Sequence, residues 1–200
     1  MILHSAPASP YARKVAITAH IKGVMSRIET RKAATGDPSD PIQGVNPLSK
    51  LPALQLDNGH VVYDSHVICE YLDSLAPTPV LFPQDETRWS ALTLAALGDG
   101  MLDAALLIVY EGRYRDESQQ VASWLEMQNR KIDRAVSHLS AHIPTLGETP
   151  HIGHVTVASA LGYLDFRLNG RWREGHAPLV AWLDAFEAQV PAFAVTRPHD

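Results

Sequence analysis

Asn46-Pro-Leu-Ser-Lys-Leu-Pro-Ala-Leu54, with Asp64-Ser65 ten residues further on, decides how this chain is read. A proline inside an apolar run has no N–H for a ladder, so Pro52 belongs at a strand start or edge. Leu51 before it is turned away from the helical region. The backbone there is extended, with N–H and C=O free for a ligand. Ala53-Leu-Gln-Leu56, a turn at Asp57-Asn-Gly59, and His60-Val-Val-Tyr63 read as a hairpin. Asp64-Ser65 stands where the hairpin ends and a helix begins. A backbone strip beside a helix N-terminus suits a small peptide-like anion.

Upstream, Met1–His4 is a short apolar segment and Ser5–Pro10 a loop. Ser9 is an N-cap, Pro10 the first helical residue, and Gly23 the stop. Met25–Thr30 reads as a second strand with Ile28 inward, and 35–45, with its glycines and prolines, as a loop or short irregular helix. Downstream, Val67, Ile68, Tyr71, Leu72 and Leu75 recur at helical spacing. Residues 1–75 therefore read β-α-β-(α)-β-β-α, a small mixed sheet covered by helices. Residues 76–84 contain three prolines within Ala76–Pro83 and read as a linker. Residues 85–200 are helical in character: 85–110, 119–141 with its stripe of Leu125, Ile132, Val136 and Leu139, then 157–168 and 178–188.

Composition bounds the function. The chain has 200 residues, 46% hydrophobic and 20% charged, as ordinary soluble domains do. A net charge of −5 argues against nucleic acid as a partner. No run of 18 apolar residues suggests a membrane span. The N-terminus lacks the charged start and apolar core of a signal peptide. The single cysteine, Cys69, excludes a disulfide framework and fits a reducing compartment. A cytoplasmic location is expected.

Three segments carry a family resemblance: Ser9-Pro-Tyr-Ala-Arg-Lys-Val15, Asn46–Leu54 with Asp64-Ser65, and Ile152–Tyr163. With the proline-rich linker and all-helical second part, they resemble the soluble glutathione transferases over essentially the whole chain, and an uncharacterised bacterial branch of them most. The resemblance implies a thioredoxin-like α/β N-terminal domain and an all-α C-terminal domain. It implies that Pro52 is the cis-proline of that fold. It implies that Ile152–Tyr163 holds a helix start, with Thr156 as N-cap and Val155 as staple. Ser159 stands where the family usually has Asp, which predicts a weaker helix start.

The resemblance makes glutathione the co-substrate, with no metal. The thiolate is the reactive form, and a hydroxyl donor beside a helix N-terminus favours it. Ser9 meets both requirements and matches the serine-type classes; a pure capping role competes, and Ser5 is the alternative hydroxyl. Tyr11 lies one turn late and is expected to pack. Leu51 and Pro52 would hold the cysteinyl part as an added strand, Lys50 the glycyl carboxylate, and Asp64 and Ser65 the γ-glutamyl ammonium and carboxylate. Tyr110, Arg113 and Tyr114 fall where the family builds its second-substrate pocket.

The expected reaction is conjugation of glutathione to a small apolar electrophile by a homodimer, with Trp89 and Met101 at the interface. The alternatives are a non-catalytic interaction protein on the same scaffold and a glutathione-dependent isomerase or peroxidase, which fold similarity cannot separate. Asp99 and Asp103 share a helix face and read as surface or interface charges. His151 and His154, spaced like metal ligands, lack further ligand partners and read as loop histidines. Cys69 reads as core.

Overall fold

The computed structural model describes residues Met1–Asp200, and its N-terminal part is built around β1 (Ile2–Ser5). This strand pairs in parallel with β2 (Glu29–Lys32) and antiparallel with β3 (Ala53–Gln55). β3 pairs antiparallel with β4 (Val61–Val62), so the order is β2-β1-β3-β4. The parallel pair needs a crossover, and α1 (Pro10–Ile21) supplies it. Ser9 caps that helix with Oγ accepting from Ala12 N–H at 3.2 Å. Pro10 fills the first position, where its missing N–H costs nothing. Gly59, at φ +84, makes the hairpin turn that a side chain would strain. α2 (Ile42–Val45) is one short turn, and α3 (Ser65–Ser74) follows the hairpin.

β2 lies later than the hydrophobic pattern predicts. Met25–Arg27 is a 3₁₀ turn, and the strand is Glu29–Lys32, exposed along its whole length. An edge strand with no buried face carries no apolar alternation. Its register is fixed by β1, from Ile2 opposite Glu29 to Ser5 opposite Lys32.

The helical part comprises α4 (Arg88–Tyr114), α5 (Ala122–Ala141), α6 (Ile152–Arg167), α7 (Ala177–Gln189) and α8 (Ala192–Val195). By length and apolar character α4 would suffice to cross a membrane, although no unbroken apolar run reveals it. Here it packs against α5 and α6. α6 is buried from Ile152 through Leu164, so it is apolar all round and carries no amphipathic signal. Gly98 permits the close crossing of α4 and α6, since a Cβ there would stand 2.9 Å from Thr156 Cγ2. Met101 is buried in this core, which removes it from any subunit interface, whereas Trp89 is 72% exposed. One hydrophobic core runs from Leu3, Val15 and Leu54 through Phe82 to Leu161 and Phe186.

The start of α6 differs from expectation. The cap is His151, not Thr156, and the helix begins at Ile152. His151 Nδ1 accepts from Gly153 N–H, and His154 Nδ1 accepts from His151 N–H, each at 3.1 Å. The two rings stack at 3.7 Å. An imidazole lone pair serves where Ser, Thr, Asp or Asn is usual, so the cap carries no ordinary sequence signature. Thr156 and Ser159 lie mid-helix, each hydroxyl donating to the carbonyl four residues back at 2.8 Å. Val155 is fully buried within the helix and staples nothing.

Candidate functional site at the end of the sheet

Strand directions bring the predicted residues together. β1 ends at Ser5, β3 begins after Pro52 on the antiparallel neighbour, and β4 ends before Tyr63 on the next. His4 is opposite Ala53 and Leu54 opposite Val62. The loop from Ser5 to Ser9, the Lys50–Pro52 segment and Tyr63–Ser65 therefore emerge at one end of the sheet. The N-termini of α1 and α3 open at that same end, each with the partial positive charge of unpaired N–H groups.

The Lys50–Pro52 segment is held from behind by Asn46, a buried residue to which the sequence reading gave no role. Its Nδ2 donates to Lys50 O at 2.9 Å and its Oδ1 accepts from Leu48 N–H at 3.0 Å. Ser49 adopts φ +49 in the resulting turn. The Leu51–Pro52 peptide is cis. Pro52 is buried, Leu51 half-buried against the small cluster of Ala33, Ile42 and Ala53, and Lys50 is exposed. Neither the N–H nor the C=O of Leu51 bonds to any other group of the chain. Backbone groups left unpaired at a partly buried position are where a ligand backbone can add.

Asp64 caps α3, its Oδ1 accepting from His66 N–H at 2.9 Å. The Tyr63–Asp64 peptide is cis. Asp64 is exposed and Ser65 buried. At the other helix Ser9 is half-buried. Its cap uses a lone pair of Oγ and leaves the hydroxyl hydrogen uncommitted, so capping and donation to a ligand are compatible. Ser5 closes β1, opposite Lys32.

The helical part meets α1 through charges. Tyr11 donates its hydroxyl to Asp103, and Lys14 Nζ lies 2.7 Å from Asp99 Oδ1. Asp103 is exposed and Asp99 half-buried, and each is engaged by a residue of α1. Both carboxylates are partners of α1, a relationship invisible to spacing within α4. Burial pushes the Tyr11 phenol far above its ordinary pKa, reinforced by the bond to Asp103. Arg13 donates to Phe193 O at 2.7 Å and stacks 3.9 Å from the Phe193 ring centroid. It passes α6 at Gly162, where a Cβ would stand 2.2 Å from its Nη1. Burial lowers the Arg13 pKa to about 10. Lys22 Nζ pairs with Asp73 at 2.8 Å and donates to Ala76 O at 2.7 Å, fastening the proline-rich segment.

Tyr110 and Tyr114 meet edge to face, ring centroids 5.3 Å apart, and line one groove together. Arg113 lies over the Tyr110 ring, 5.5 Å from its centroid. Its charge reaches Tyr163 of α6, whose phenol burial pushes up against the opposing pull of Arg167 and Arg113. Tyr114 is 66% exposed, and the groove of ≈ 590 Å³ that it shares with Tyr110 is completed by Val121 and Trp124. Tyr163 and Arg167 went unassigned in the sequence because α6 has no polar face to announce them. Cys69 is buried, accepts from Thr18 Oγ1 at 3.3 Å, and has its thiol pushed up to about 11 by burial. No group of three or more His, Cys, Asp or Glu is arranged to hold a metal.

Comparison with known proteins bears on this arrangement. Residues 3–80 match the family model for the glutathione S-transferase N-terminal domain, and residues 122–185 that for the C-terminal domain. The chain is 31% identical to the uncharacterized GST-like protein YibF of Escherichia coli (strain K12), over 80% of this chain and 79% of the relative. A glutathione transferase family member from Pseudomonas fluorescens Pf-5, solved with bound glutathione, has a TM-score of 0.92 and 42% identity, covering 100% of this chain and 99% of that one. A structure from the same source with bound S-(propanoic acid)-glutathione has a TM-score of 0.87 and 40% identity, covering 100% of both chains.

Proposed function

The chain belongs to the glutathione S-transferase family, and on that footing we propose that it binds glutathione at the sheet end and passes its sulfur to a small electrophile. The observation that carries the reading is Leu51, whose N–H and C=O have no partner in the chain, on a segment that emerges at the same end of the sheet as two helix N-termini. The cysteinyl unit adds to Leu51 as a short strand, with Pro52 behind it. The γ-glutamyl end lies at α3, its ammonium toward Asp64 and its carboxylate on the helix N-terminus at Ser65. Lys50, exposed and without an ion-pair partner, takes the glycyl carboxylate.

The sulfur then falls at the start of α1. Ser9 donates its free hydroxyl hydrogen to it, and the helix N-terminus adds partial positive charge. Each unit by which these lower the thiol pKa is about 1.4 kcal/mol of preference for thiolate. The thiolate attacks the electrophilic carbon, a carbon–sulfur bond forms, and the leaving group departs with its electron pair. The S-substituted glutathione bound by the Pf-5 relative supports room for a substituent on sulfur. Glutathione chemistry suits the reducing cytoplasm, and the exposed Trp89 supports a homodimer formed through the start of α4.

Calorimetry tests the reading. Glutathione should bind the wild-type protein and bind Asp64→Ala more weakly. A wild-type protein that binds no glutathione belongs instead to the non-catalytic members of the scaffold.

A further inference from the structure

Between the start of α1 and the far ends of α4 and α6, the polar side chains change character. Nearest Ser9 stands the Tyr11–Asp103 pair. Next comes Tyr163, close enough for its charge state to be coupled to that of Tyr11. Beyond it, Arg167 from the end of α6 and Arg113 from the end of α4 both act on Tyr163. The series thus runs from an acid, through two phenols, to two guanidinium groups.

The two arginines are not consumed by the fold. Arg113 has no ion pair or hydrogen bond in the chain, only its position over Tyr110. Arg167 lies 4.0 Å from the Phe166 ring centroid, and its Nε is buried with no acceptor. Its one carboxylate partner is Asp200, 2.6 Å from Nη2, whose side chain is 76% exposed. Asp200 also feels Arg113, and its carboxyl is held below the usual range by the bond to Arg167. A carboxylate therefore already rests on Arg167, within range of the Arg113 charge, carried by an exposed side chain that a ligand can displace. Planar guanidinium groups beside aromatic rings are the arrangement that recognises a carboxylate attached to an apolar body.

We propose that Arg113 and Arg167, backed by the buried Tyr163, form an anion subsite that selects electrophiles carrying a carboxylate at the end remote from the reacting carbon. This rests on the glutathione reading above, and it changes the expected partner from an apolar electrophile to an apolar body with an acidic end. Tyr110 and Phe166 flank the body, the arginines take the carboxylate, and the reacting carbon lies toward Ser9. Asp200 competes for the same site and keeps it closed to weaker anions.

The test uses two preformed conjugates, S-(4-carboxy-2-nitrophenyl)glutathione and its carboxamide counterpart, which match in size and differ in charge. Calorimetry on the full chain should give a preference for the carboxylate of about tenfold, as charge-assisted hydrogen bonds lend. Arg113→Gln and Arg167→Gln should each reduce that ratio toward one, Arg167→Lys should retain part of it, and Asp200→Asn should enlarge it. Glutathione affinity is measured on the same samples and reports whether the first site and the fold are intact. If glutathione binds but the conjugates bind equally, the anion subsite is wrong and the glutathione reading stands. If the preference persists in both glutamine variants, the arginines are not its source. If glutathione does not bind the wild type, the earlier reading fails and this one with it.

Discussion

Lys14 and Asp99 form an ion pair between α1 and α4, Nζ to Oδ1 2.7 Å, with the lysine side chain wholly inside the protein. Removing one partner of such a pair strands a desolvated charge, at a cost on the order of 3–5 kcal/mol. Asp99→Ala should lose about that much in urea unfolding. Replacing both partners by apolar residues, as in Lys14→Met with Asp99→Leu, should recover most of the loss. A double variant as unstable as Asp99→Ala would show that the pair is not the cause.

Ser9 separates two roles that one substitution confuses. Ser9→Ala removes the cap and should cost about 1 kcal/mol of stability. Ser9→Gly keeps most of the cap preference, within a few tenths of a kcal/mol, but has no hydroxyl. Both should reduce thiolate absorbance of bound glutathione near neutral pH, while only the alanine variant melts markedly lower. If absorbance is unchanged in both, Ser9 is a cap alone and Ser5 is the hydroxyl to examine.

Tyr11 should be silent in an alkaline titration. Its phenol is raised by burial and by Asp103, so in the folded protein it stays protonated above the pH at which an ordinary tyrosine ionises. In the unfolded chain it ionises near pH 10. The stability it contributes is therefore complete below about pH 10 and declines above it. Tyr11→Phe should leave the folded protein's tyrosinate absorbance up to about pH 11 unchanged and should flatten the alkaline loss of stability.

His154 should make the protein acid-sensitive. Burial lowers its pKa to about 4, with the charge of His151 acting in the same direction. Its Nδ1 must stay unprotonated to accept from His151 N–H. The unfolded chain takes up a proton near pH 6.5 that the folded protein refuses until about pH 4, so stability falls as pH drops through that window. The loss is on the order of 3 kcal/mol. His154→Asn, which keeps an acceptor without the titration, should show a shallower decline in unfolding free energy between those limits.

Much of the fold was legible because its signals are local. Ser9-Pro10 starts a helix, Asn58-Gly59 turns a hairpin, and Pro52 marks a strand start, each through backbone geometry that a few residues dictate. The convergence of Ser9, Leu51 and Asp64 followed from strand order, which the same segments imply. What escaped depends on partners distant in the chain. Asp103 is exposed as a surface charge is, and its bond to Tyr11 exists only because α1 comes beside it. Asn46 shows its use only when the turn folds back onto Lys50. Tyr163 lies in the buried stretch of α6 and Arg167 just beyond it, and no polar stripe marks either. The cap of α6 was missed because histidine does there what serine or aspartate usually does.

Arg13 bears on how freely the two parts of this molecule can be exchanged with those of its relatives. It is buried on α1, yet its acceptor is the carbonyl of Phe193 near the far end of the chain, reached past Gly162. Lys14 beside it depends on Asp99 of α4. A chimaera joining this sheet unit to a foreign helical part must therefore carry three things together: a glycine at the crossing, a carbonyl behind it and an acid on the neighbouring helix. A foreign helical part without them would leave the two cations of α1 without partners. Donors for such a graft are thus chosen by what lies beneath α1, not by how closely their ligand-facing loops agree.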